Sequence, residues 1–300
     1  MVSLSASIAR PLVKVIGKQL AAADTAEKIR KVFNIASHLM APATGVRLNS
    51  LELGGVPCIE VIPNTTEPSS TLLYFHGGGY VFGSAKTYVG MAGRLAKAAG
   101  ARVILPDYRL APEHPYPACR EDSLAVYRAL LERCPEEELA VAGDSAGGGA
   151  AVAVLQMARE AQLAMPACLY LLSPLLDLSG SGESMQNNYD SEIQIPQPVI
   201  ERCCRWFCGD TDAADPGVSP LFASVDGFPP TLIQVAENEM LFSDSVRFAD
   251  KAQRAGVDVR LNTEPGLWHV WQLMAPIVTE ARSAIAEAGV FIRSNTGHSQ

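Results

Sequence analysis

The feature that most constrains this chain is a serine placed between a strand-like segment and a helix-like segment. Residues 143–148 read Gly-Asp-Ser-Ala-Gly-Gly, after the apolar run Leu139–Ala142 and before a helical pattern over 150–162. On such a turn the hydroxyl of Ser145 projects above the edge of a sheet, and the flanking glycines leave room for a strained backbone. The N–H groups at the start of the following helix point to the same place. The pattern predicts an α/β protein in which Ser145 is a nucleophile.

A second motif lies upstream, at the end of another strand-like segment. Thr71–Phe75 is followed by His76, Gly77, Gly78, Gly79 and Tyr80. Three consecutive glycines cost conformational entropy on folding. Such a cost is expected where bare backbone N–H groups must approach a ligand closely. In lipases and esterases a loop of this type forms the oxyanion hole together with the N–H of the residue after the nucleophile, which is Ala146 here.

The third motif is the segment from Asp107 to Ala118, Asp-Tyr-Arg-Leu-Ala-Pro-Glu-His-Pro-Tyr-Pro-Ala. Together the three motifs resemble those of the hormone-sensitive-lipase-like family of bacterial esterases. The similarity covers nearly the whole chain and is weakest before about Arg47 and between Asp177 and Asp215.

The resemblance implies an α/β-hydrolase fold, with a mostly parallel central sheet flanked by helices and a helical cap. It implies that the oxyanion hole is formed by the N–H groups of Gly78, Gly79 and Ala146. It also implies that His76, with Gly77, orders the glycine loop and does not act as the base. No metal or organic cofactor is implied. We interpret the charged residues of the third motif as a buried ion-pair network under the catalytic loops; they are Asp107, Arg109, Glu113 and His114.

The alternation of short apolar segments with helix-like segments favours a mostly parallel sheet covered on both faces. A hairpin is predicted at a sheet edge, with strands Val46–Leu53 and Val56–Ile62. Further strands are predicted at Thr71–Phe75, Arg102–Leu105, Leu139–Ala142, Cys168–Leu172, Thr231–Val235 and Val257–Leu261. Helices are predicted at Tyr88–Ala99, Glu121–Arg133, Gly148–Gln162, Ser243–Ala255 and from about Val270 to Arg293, with 294–300 as a frayed tail.

Two segments do not follow this alternation, and we expect them to form the cap. Residues 1–45 are predicted as N-terminal cap helices and 177–215 as a cap insertion, leaving 46–176 and 216–300 as the catalytic domain. An insertion after the carboxyl end of a strand lies over the ligand site of an open α/β sheet. The predicted substrate-binding residues are Tyr80, Trp206, Phe207 and Met40, with Phe33 as a further candidate wall, although each could instead belong to the core of the cap.

A serine nucleophile needs a base, because its hydroxyl is protonated at neutral pH, and histidine titrates near that pH. There are five histidines, of which His76 and His114 precede Ser145, whereas the α/β-hydrolase order is serine, acid, histidine. His38 lies in the N-terminal helical region and His298 in the tail. His269, between the last strand and the last helix, is therefore the predicted base.

The acid should follow the strand Thr231–Val235, and three carboxylates do: Glu237, Glu239 and Asp244. In the similar family the acid often begins an Asp-Pro-Leu triplet, and the matching triplet here starts at Glu239 and departs by carrying glutamate. Glutamate can serve, since the acid only orients the imidazole and stabilises the imidazolium. Glu239 is the predicted acid. Asp244 is expected to cap the following helix.

Composition excludes some partners. A net charge of −8 argues against a nucleic-acid partner. The seven cysteines show no disulfide spacing, and we expect the cluster at Cys203, Cys204 and Cys208 to be reduced residues of a helix, not a zinc site.

Charged residues interrupt the N-terminal segment Met1–Gln19. This predicts an amphipathic helix packed on the body and a cytoplasmic protein without a membrane partner. Membrane-surface attachment by this helix stays an alternative, and a homodimer is left open.

These observations predict a serine carboxylesterase that acts on small esters with short-to-medium acyl chains. Hydrolysis of a lactone or an aryl amide by the same residues is an alternative within the enzymes. A non-catalytic ligand-binding protein of the same fold is a more distant alternative, since all three triad positions are filled.

Overall fold

The computed structural model describes residues 2–64, 67–135 and 138–296. Its centre is one eight-stranded sheet in the order β1-β2-β4-β3-β5-β6-β7-β8. The strands are β1 (Val46–Leu53), β2 (Val56–Pro63), β3 (Ser70–Phe75), β4 (Ala101–Pro106), β5 (Leu139–Asp144), β6 (Cys168–Leu172), β7 (Thr231–Ala236) and β8 (Val259–Glu264). The helices are α1 (Leu4–Ala22), α2 (Ala26–Ala36), α3 (Ala85–Ala99), α4 (Ala118–Leu131), α5 (Ala146–Glu160), α6 (Ser184–Asn187), α7 (Gln197–Cys208), α8 (Phe242–Arg254) and α9 (Thr279–Thr296).

The predicted α/β-hydrolase fold, with its mostly parallel sheet, is confirmed. β1 and β2 form the antiparallel hairpin at the edge, around Gly54 and Gly55, and β2 pairs antiparallel with β4. All pairings from β4 through β3, β5, β6 and β7 to β8 are parallel. The strands β3, β5, β6 and β7 are buried along their whole length. Helices on both faces require such continuous apolar strands.

The segments outside the α/β alternation lie against each other and against the body. A Cβ on Gly17 of α1 would lie 2.1 Å from the carbonyl oxygen of Ile193, so this helix packs closely on the 177–215 segment. Arg202 of α7 donates to the carbonyl oxygen of Ala21 at 3.0 Å. Arg30 of α2 donates to the carbonyl oxygens of Val81 and Ala111, and so ties the N-terminal helices to the glycine loop. The exact division into cap and catalytic domain stays a prediction.

The last helix begins later than predicted. Val270 adopts a left-handed conformation (φ 45°), a 3-10 turn covers Trp271–Met274, and α9 begins only at Thr279, after Pro276. A proline and a left-handed residue both interrupt a helix, and both lie within the predicted range. At its other end α9 continues to Thr296, into the predicted tail, while 297–300, including His298, lie outside the described residues.

The third motif does not form the predicted buried network. Arg109 and Glu113 are surface residues with separate partners: Arg109 pairs with Asp122 and Glu121, and Glu113 pairs with Arg30. The motif follows the carboxyl end of β4, where Asp107, Arg109, Glu113 and His114 are exposed, so its charged side chains reach solvent and the neighbouring helices. Asp107 accepts from the N–H of Ala85, at the start of α3.

The cysteines are free thiols, and Cys203, Cys204 and Cys208 are buried on α7, as expected of reduced helix residues. Across the described ranges no group of three or more possible ligands could hold a metal ion. None of the helices in those ranges combines the length and the apolar character needed to cross a membrane.

The packing of α5 on β3 generates a prediction about stability. A Cβ on Gly147 would lie 2.1 Å from the carbonyl oxygen of Phe75, a backbone atom that cannot turn away. We expect Gly147→Ala to lower the free energy of unfolding by about 1–3 kcal/mol, because the helix must move away from the strand. Thermal or urea unfolding measures this. Glu160→Ala, at the exposed end of the same helix, is the control and should change stability by less than about 0.5 kcal/mol. Equal effects of the two changes would contradict the close packing.

Candidate active site

Ser145 occupies a sharp turn between β5 and α5. Its backbone has φ 52° and ψ −123°, a strained conformation for a residue with a side chain. Hydrogen bonds hold it there: the N–H of Ser145 donates to the carbonyl oxygen of Leu172 at 2.9 Å, and its own carbonyl oxygen accepts from the N–H of Leu175 at 2.9 Å. The turn places the side chain at the carboxyl end of the central strand, on the wall of a cavity.

Asp144, the residue before Ser145, connects this turn to the glycine loop. Its buried carboxylate accepts from the N–H of Gly77 at 2.9 Å and from the hydroxyls of Tyr74 and Tyr88, each at 2.8 Å. Burial raises the pKa of Asp144 to about 6, although the two tyrosine hydrogen bonds oppose the rise. Asp144 therefore fixes the start of the glycine loop relative to Ser145.

The backbone N–H groups of Gly78, Gly79 and Ala146 have no hydrogen-bond partner within the part of the chain that the structure describes. Ala146 is the first residue of α5, where N–H groups have no partner inside the helix. Gly78 has φ 122° and Gly79 has φ 59°, which side chains rarely permit. The two glycines and Ser145 lie on cavity walls, so unpaired donors surround the serine.

His76 is buried behind the glycine loop. Its ring stacks on Tyr108 with centroids 4.3 Å apart, and its Nδ1 lies 2.8 Å from the carbonyl oxygen of Gly77. Burial lowers the pKa of His76 to about 4, so the ring is neutral near pH 7. The position fits the predicted support of the loop and gives His76 no access to the cavity.

The structure brings His269 and Glu239 together. The Nδ1 atom of His269 lies 2.5 Å from Oε2 of Glu239, and both side chains are buried. The other oxygen, Oε1, accepts from the Ser173 hydroxyl and from the N–H of Ala236, both at 2.7 Å. Burial by itself lowers the pKa of His269, but the charge and hydrogen bond of Glu239, with smaller contributions from Glu192 and Asp144, raise it above its ordinary value.

The two other candidate acids lie elsewhere. Glu237 is exposed and accepts from the hydroxyl of Thr263. Asp244 is the third residue of α8 and does not cap that helix, so this expectation is wrong. Its buried carboxylate instead accepts from the N–H groups of Leu176 and Asp177, at 2.7 and 2.9 Å, and so anchors the loop after β6. Burial raises the pKa of Asp244 to about 7.

Two apolar cavities meet at Ser145. The larger one, about 690 Å³ counted to its open mouth, contains Ser145 and His269. Its other walls include residues of α1, α2, the 3-10 turn before β1 and the turn after His269, with Gln194 and Ile195. The smaller one, about 330 Å³, lies toward α7 and is lined by Gly79, Ser145, Leu175, Ile195, Val199, Ile200, Cys203 and Leu241, with Phe82 shared by both. Among the described residues no hydrogen bond joins the hydroxyl of Ser145 to His269, although both face the larger cavity.

The comparisons with known proteins agree with this geometry. Residues 72–273 match the model of a family with the α/β-hydrolase fold. An acetyl-hydrolase of Streptomyces hygroscopicus is 40% identical over 76% of this chain and 76% of its own length. An esterase of Acinetobacter venetianus is 34% identical over 89% of this chain and 88% of its own. The crystal structure of an esterase from the bacterial hormone-sensitive lipase family superposes with a TM-score of 0.90 at 34% identity, covering 96% of this chain and 99% of that one.

The chain is an esterase of the bacterial hormone-sensitive lipase family. The family resemblance of the three motifs is confirmed, and with it the hydrolysis of carboxylic esters as the activity of the protein.

The structure corrects most of the predicted substrate-binding residues of this esterase. Met40 lines the larger cavity, as does Phe33. Tyr80, Trp206 and Phe207 do not line either cavity beside Ser145. The rings of Tyr80 and Phe207 stack on each other with centroids 3.9 Å apart, and Trp206 is half-buried on α7. The residues of α7 that line a cavity lie one to two turns before Trp206 and Phe207, so the aromatic end of this helix packs on the body instead.

Sequence reasoning missed most of the wall. The residues it did not name include apolar ones of α1 and of the turn after His269, together with the loop residues Gln194 and Ile195. The helical spacing of Val13, Ile16 and Leu20 was one available signal, because it marks the buried face of α1. It does not say that a cavity lies beneath that face.

The hydrogen bonds of Asp144 generate a prediction. Asp144→Ala leaves the N–H of Gly77 and two buried tyrosine hydroxyls without their acceptor, and each such group costs about 1–3 kcal/mol. We expect a loss of stability of at least that size together with reduced esterase activity, since the glycine loop is no longer held. Asp144→Asn keeps one acceptor oxygen and should lose much less on both counts. Unfolding curves and ester hydrolysis measure the two variants. If alanine and asparagine behave alike, these hydrogen bonds do not hold the loop.

Proposed function

We propose that this esterase hydrolyses esters with short-to-medium acyl chains through an acyl-enzyme on Ser145. The observation that carries the proposal is the set of groups around Ser145. The strained serine lines both apolar cavities, a histidine hydrogen-bonded to a buried carboxylate lines the larger one, and the glycine loop reaches both. The unpaired N–H of Ala146 follows the serine directly. This is the set of groups that acyl transfer needs.

In the proposed reaction His269 accepts the proton of Ser145 as the serine oxygen attacks the ester carbonyl. Glu239 holds the imidazole with its Nδ1–H toward the carboxylate, so that Nε2 is the accepting atom, and stabilises the imidazolium that forms. The N–H groups of Gly78, Gly79 and Ala146 stabilise the negative oxygen of the tetrahedral intermediate. His269 then protonates the leaving alcohol, and an activated water hydrolyses the acyl-serine by the same steps.

The serine and histidine need not be hydrogen-bonded before substrate binds. In free enzymes such contacts are often long and become shorter in the complex with substrate. The two cavities that meet at Ser145 fit the two parts of an ester, one on each side of the carbonyl. Their apolar walls favour hydrocarbon chains, and the carboxylate of Glu239 lies behind His269 and lines neither cavity.

The roles of the three residues are tested by substitution. Ser145→Ala should lower kcat on p-nitrophenyl butyrate by roughly 10⁵ to 10⁶, the scale at which a triad nucleophile is lost. Glu239→Gln should cost on the order of 10⁴, because the imidazole loses its orienting partner. The matched control is Glu237→Gln, an exposed carboxylate two residues away, with an expected loss of less than about tenfold. Mass spectrometry with a p-nitrophenyl ester or a phosphonate should find the adduct on Ser145. A folded Ser145→Ala protein with a tenth of the wild-type rate would exclude the mechanism.

The size of the cavities predicts the acyl preference. Each added methylene gains about 0.8 kcal/mol while space remains, and overpacking then costs about 1–3 kcal/mol. We expect kcat/KM on p-nitrophenyl esters to be highest at about four to eight carbons and to fall steeply by about twelve.

Two variants connect this profile to the walls. Met40→Ala enlarges the larger cavity and should move the optimum to longer chains, while Trp206→Ala, on a side chain outside both cavities, should leave it unchanged. A preference of the wild-type enzyme for long-chain emulsified triglycerides would contradict the closed apolar cavity.

A further inference from the structure

The buried carboxylate of Glu192 has no part in the proposed mechanism, yet it lies next to it. Glu192 is 8% exposed and belongs to the loop between α6 and α7. Its Oε1 accepts from the N–H groups of Gln194 and Ile195, at 2.8 and 3.1 Å. Its Oε2 accepts from the N–H of Met240 at 3.3 Å. One carboxylate therefore holds two backbone segments that are far apart in the sequence.

Each of those segments has a function in the site. Gln194 and Ile195 form part of the wall of the larger cavity, and Ile195 lines the smaller one as well. Met240 follows Glu239 directly, in the turn over residues 237–240 that we call the acid turn. Glu192 thus connects the cavity wall to the turn that carries the partner of His269.

Other side chains of this loop and of α6 contact the acid turn. Asn188 donates to the carbonyl oxygens of Glu237 and Glu239, both at 2.8 Å. The hydroxyl of Ser191 donates to the carbonyl oxygen of Asn238 at 2.9 Å, and that of Ser184 donates to the carbonyl oxygen of Met240. Every residue of the acid turn is therefore held by a side chain from 184–192.

A buried carboxylate is retained only where hydrogen bonds offset its loss of hydration. The charged groups that face this one are His269 and Glu239, and its negative charge acts on the imidazole together with those of Glu239 and Asp144. An uncharged side chain could make some of the same hydrogen bonds, but it could not accept from three N–H groups on two sides and favour the imidazolium at the same time.

We propose that Glu192 is a positioning residue of the esterase reaction, which ties the cavity wall at Gln194 and Ile195 to the acid turn and keeps Glu239 aligned with His269. The proposal rests on the proposed function of Ser145, Glu239 and His269. On this proposal the 177–215 segment has two functions: it forms part of the cavity wall, and it sets the orientation of Glu239 toward His269.

The test compares Glu192→Gln with wild type and with Glu201→Gln, an exposed carboxylate on α7 in the same 177–215 segment. Active sites are counted with a phosphonate, so that kcat refers to active molecules only. On p-nitrophenyl butyrate we expect Glu192→Gln to lower kcat at least tenfold and to raise KM, because a small misplacement of positioned groups can cost up to about 10² in rate. Glu201→Gln should match wild type.

The pH profile separates this role from a merely structural one. The base must be neutral, so kcat/KM falls as the pH drops below the pKa of His269. Removing the charge of Glu192 should move the acid limb of kcat/KM to lower pH, whereas a protein that is only less stable keeps the wild-type profile. Wild-type kcat, KM and acid limb in the Glu192→Gln protein would overturn the proposal.

If Glu192→Gln does not fold, Asn188→Ala carries the test, since it releases the acid turn without removing a charge. A loss of kcat of threefold or more per active site, with an unchanged acid limb, supports the proposal, and an unchanged kcat overturns it. Ser145→Ala in the same assay distinguishes the two hypotheses: if that protein stays active, the proposed mechanism fails regardless of what Glu192 does.

Discussion

Ser145 holds a positive φ between β5 and α5, and the rest of the site is arranged around that constraint. Such a backbone costs about 1–3 kcal/mol and persists only where its surroundings leave no alternative. Three features surround it here: the carboxyl end of the fully buried strand β5, the helix α5 packed against β3 through Gly147, and hydrogen bonds to Leu172 and Leu175. The same turn leaves the N–H of Ala146 unpaired, so one strained residue supplies both a hydroxyl on the cavity wall and a donor beside it.

Buried carboxylates make the long-range connections of this esterase. Asp144 connects the serine turn to the glycine loop, Glu239 connects β7 to His269, and Asp244 connects α8 to the loop after β6. A charge away from water requires several donors, and backbone N–H groups at strand ends and turns provide them. Each carboxylate therefore fixes the relative position of two loops. This explains why the parts of the site, which come from distant regions of the sequence, share one geometry.

The N-terminal helices and the 177–215 segment contribute in two ways. The apolar side chains of both, with those of the turn after His269, form most of the wall of the larger cavity, and polar side chains of the 177–215 segment hold the acid turn. The walls and the acid are thus parts of one connected structure.

The fold, the serine turn, the glycine loop and the position of His269 after the last strand could be predicted from the sequence, because they depend on residues within a few positions of each other. Apolar runs buried on both faces, glycines at positive φ, and the order of strands and helices are all local signals. The identity of the acid was predicted less directly. The expected position of the acid, after β7, fits Glu237, Glu239 and Asp244 alike, and only the triplet of the similar family favoured Glu239. Their distances from His269 depend on how the turn is folded and held.

The pocket was the least predictable part. Tyr80, Trp206, Phe207 and Met40 are of the types that line apolar cavities, but the same types fill cores. Which of them meets a substrate depends on where α7 ends and on which ring stacks with which. The sequence by itself determined the helices and strands and the backbone of the serine turn, since local preferences decide both. Tertiary packing alone decided the pocket walls and the partner of His269, because a side chain's neighbours are set by contacts between segments far apart in the chain.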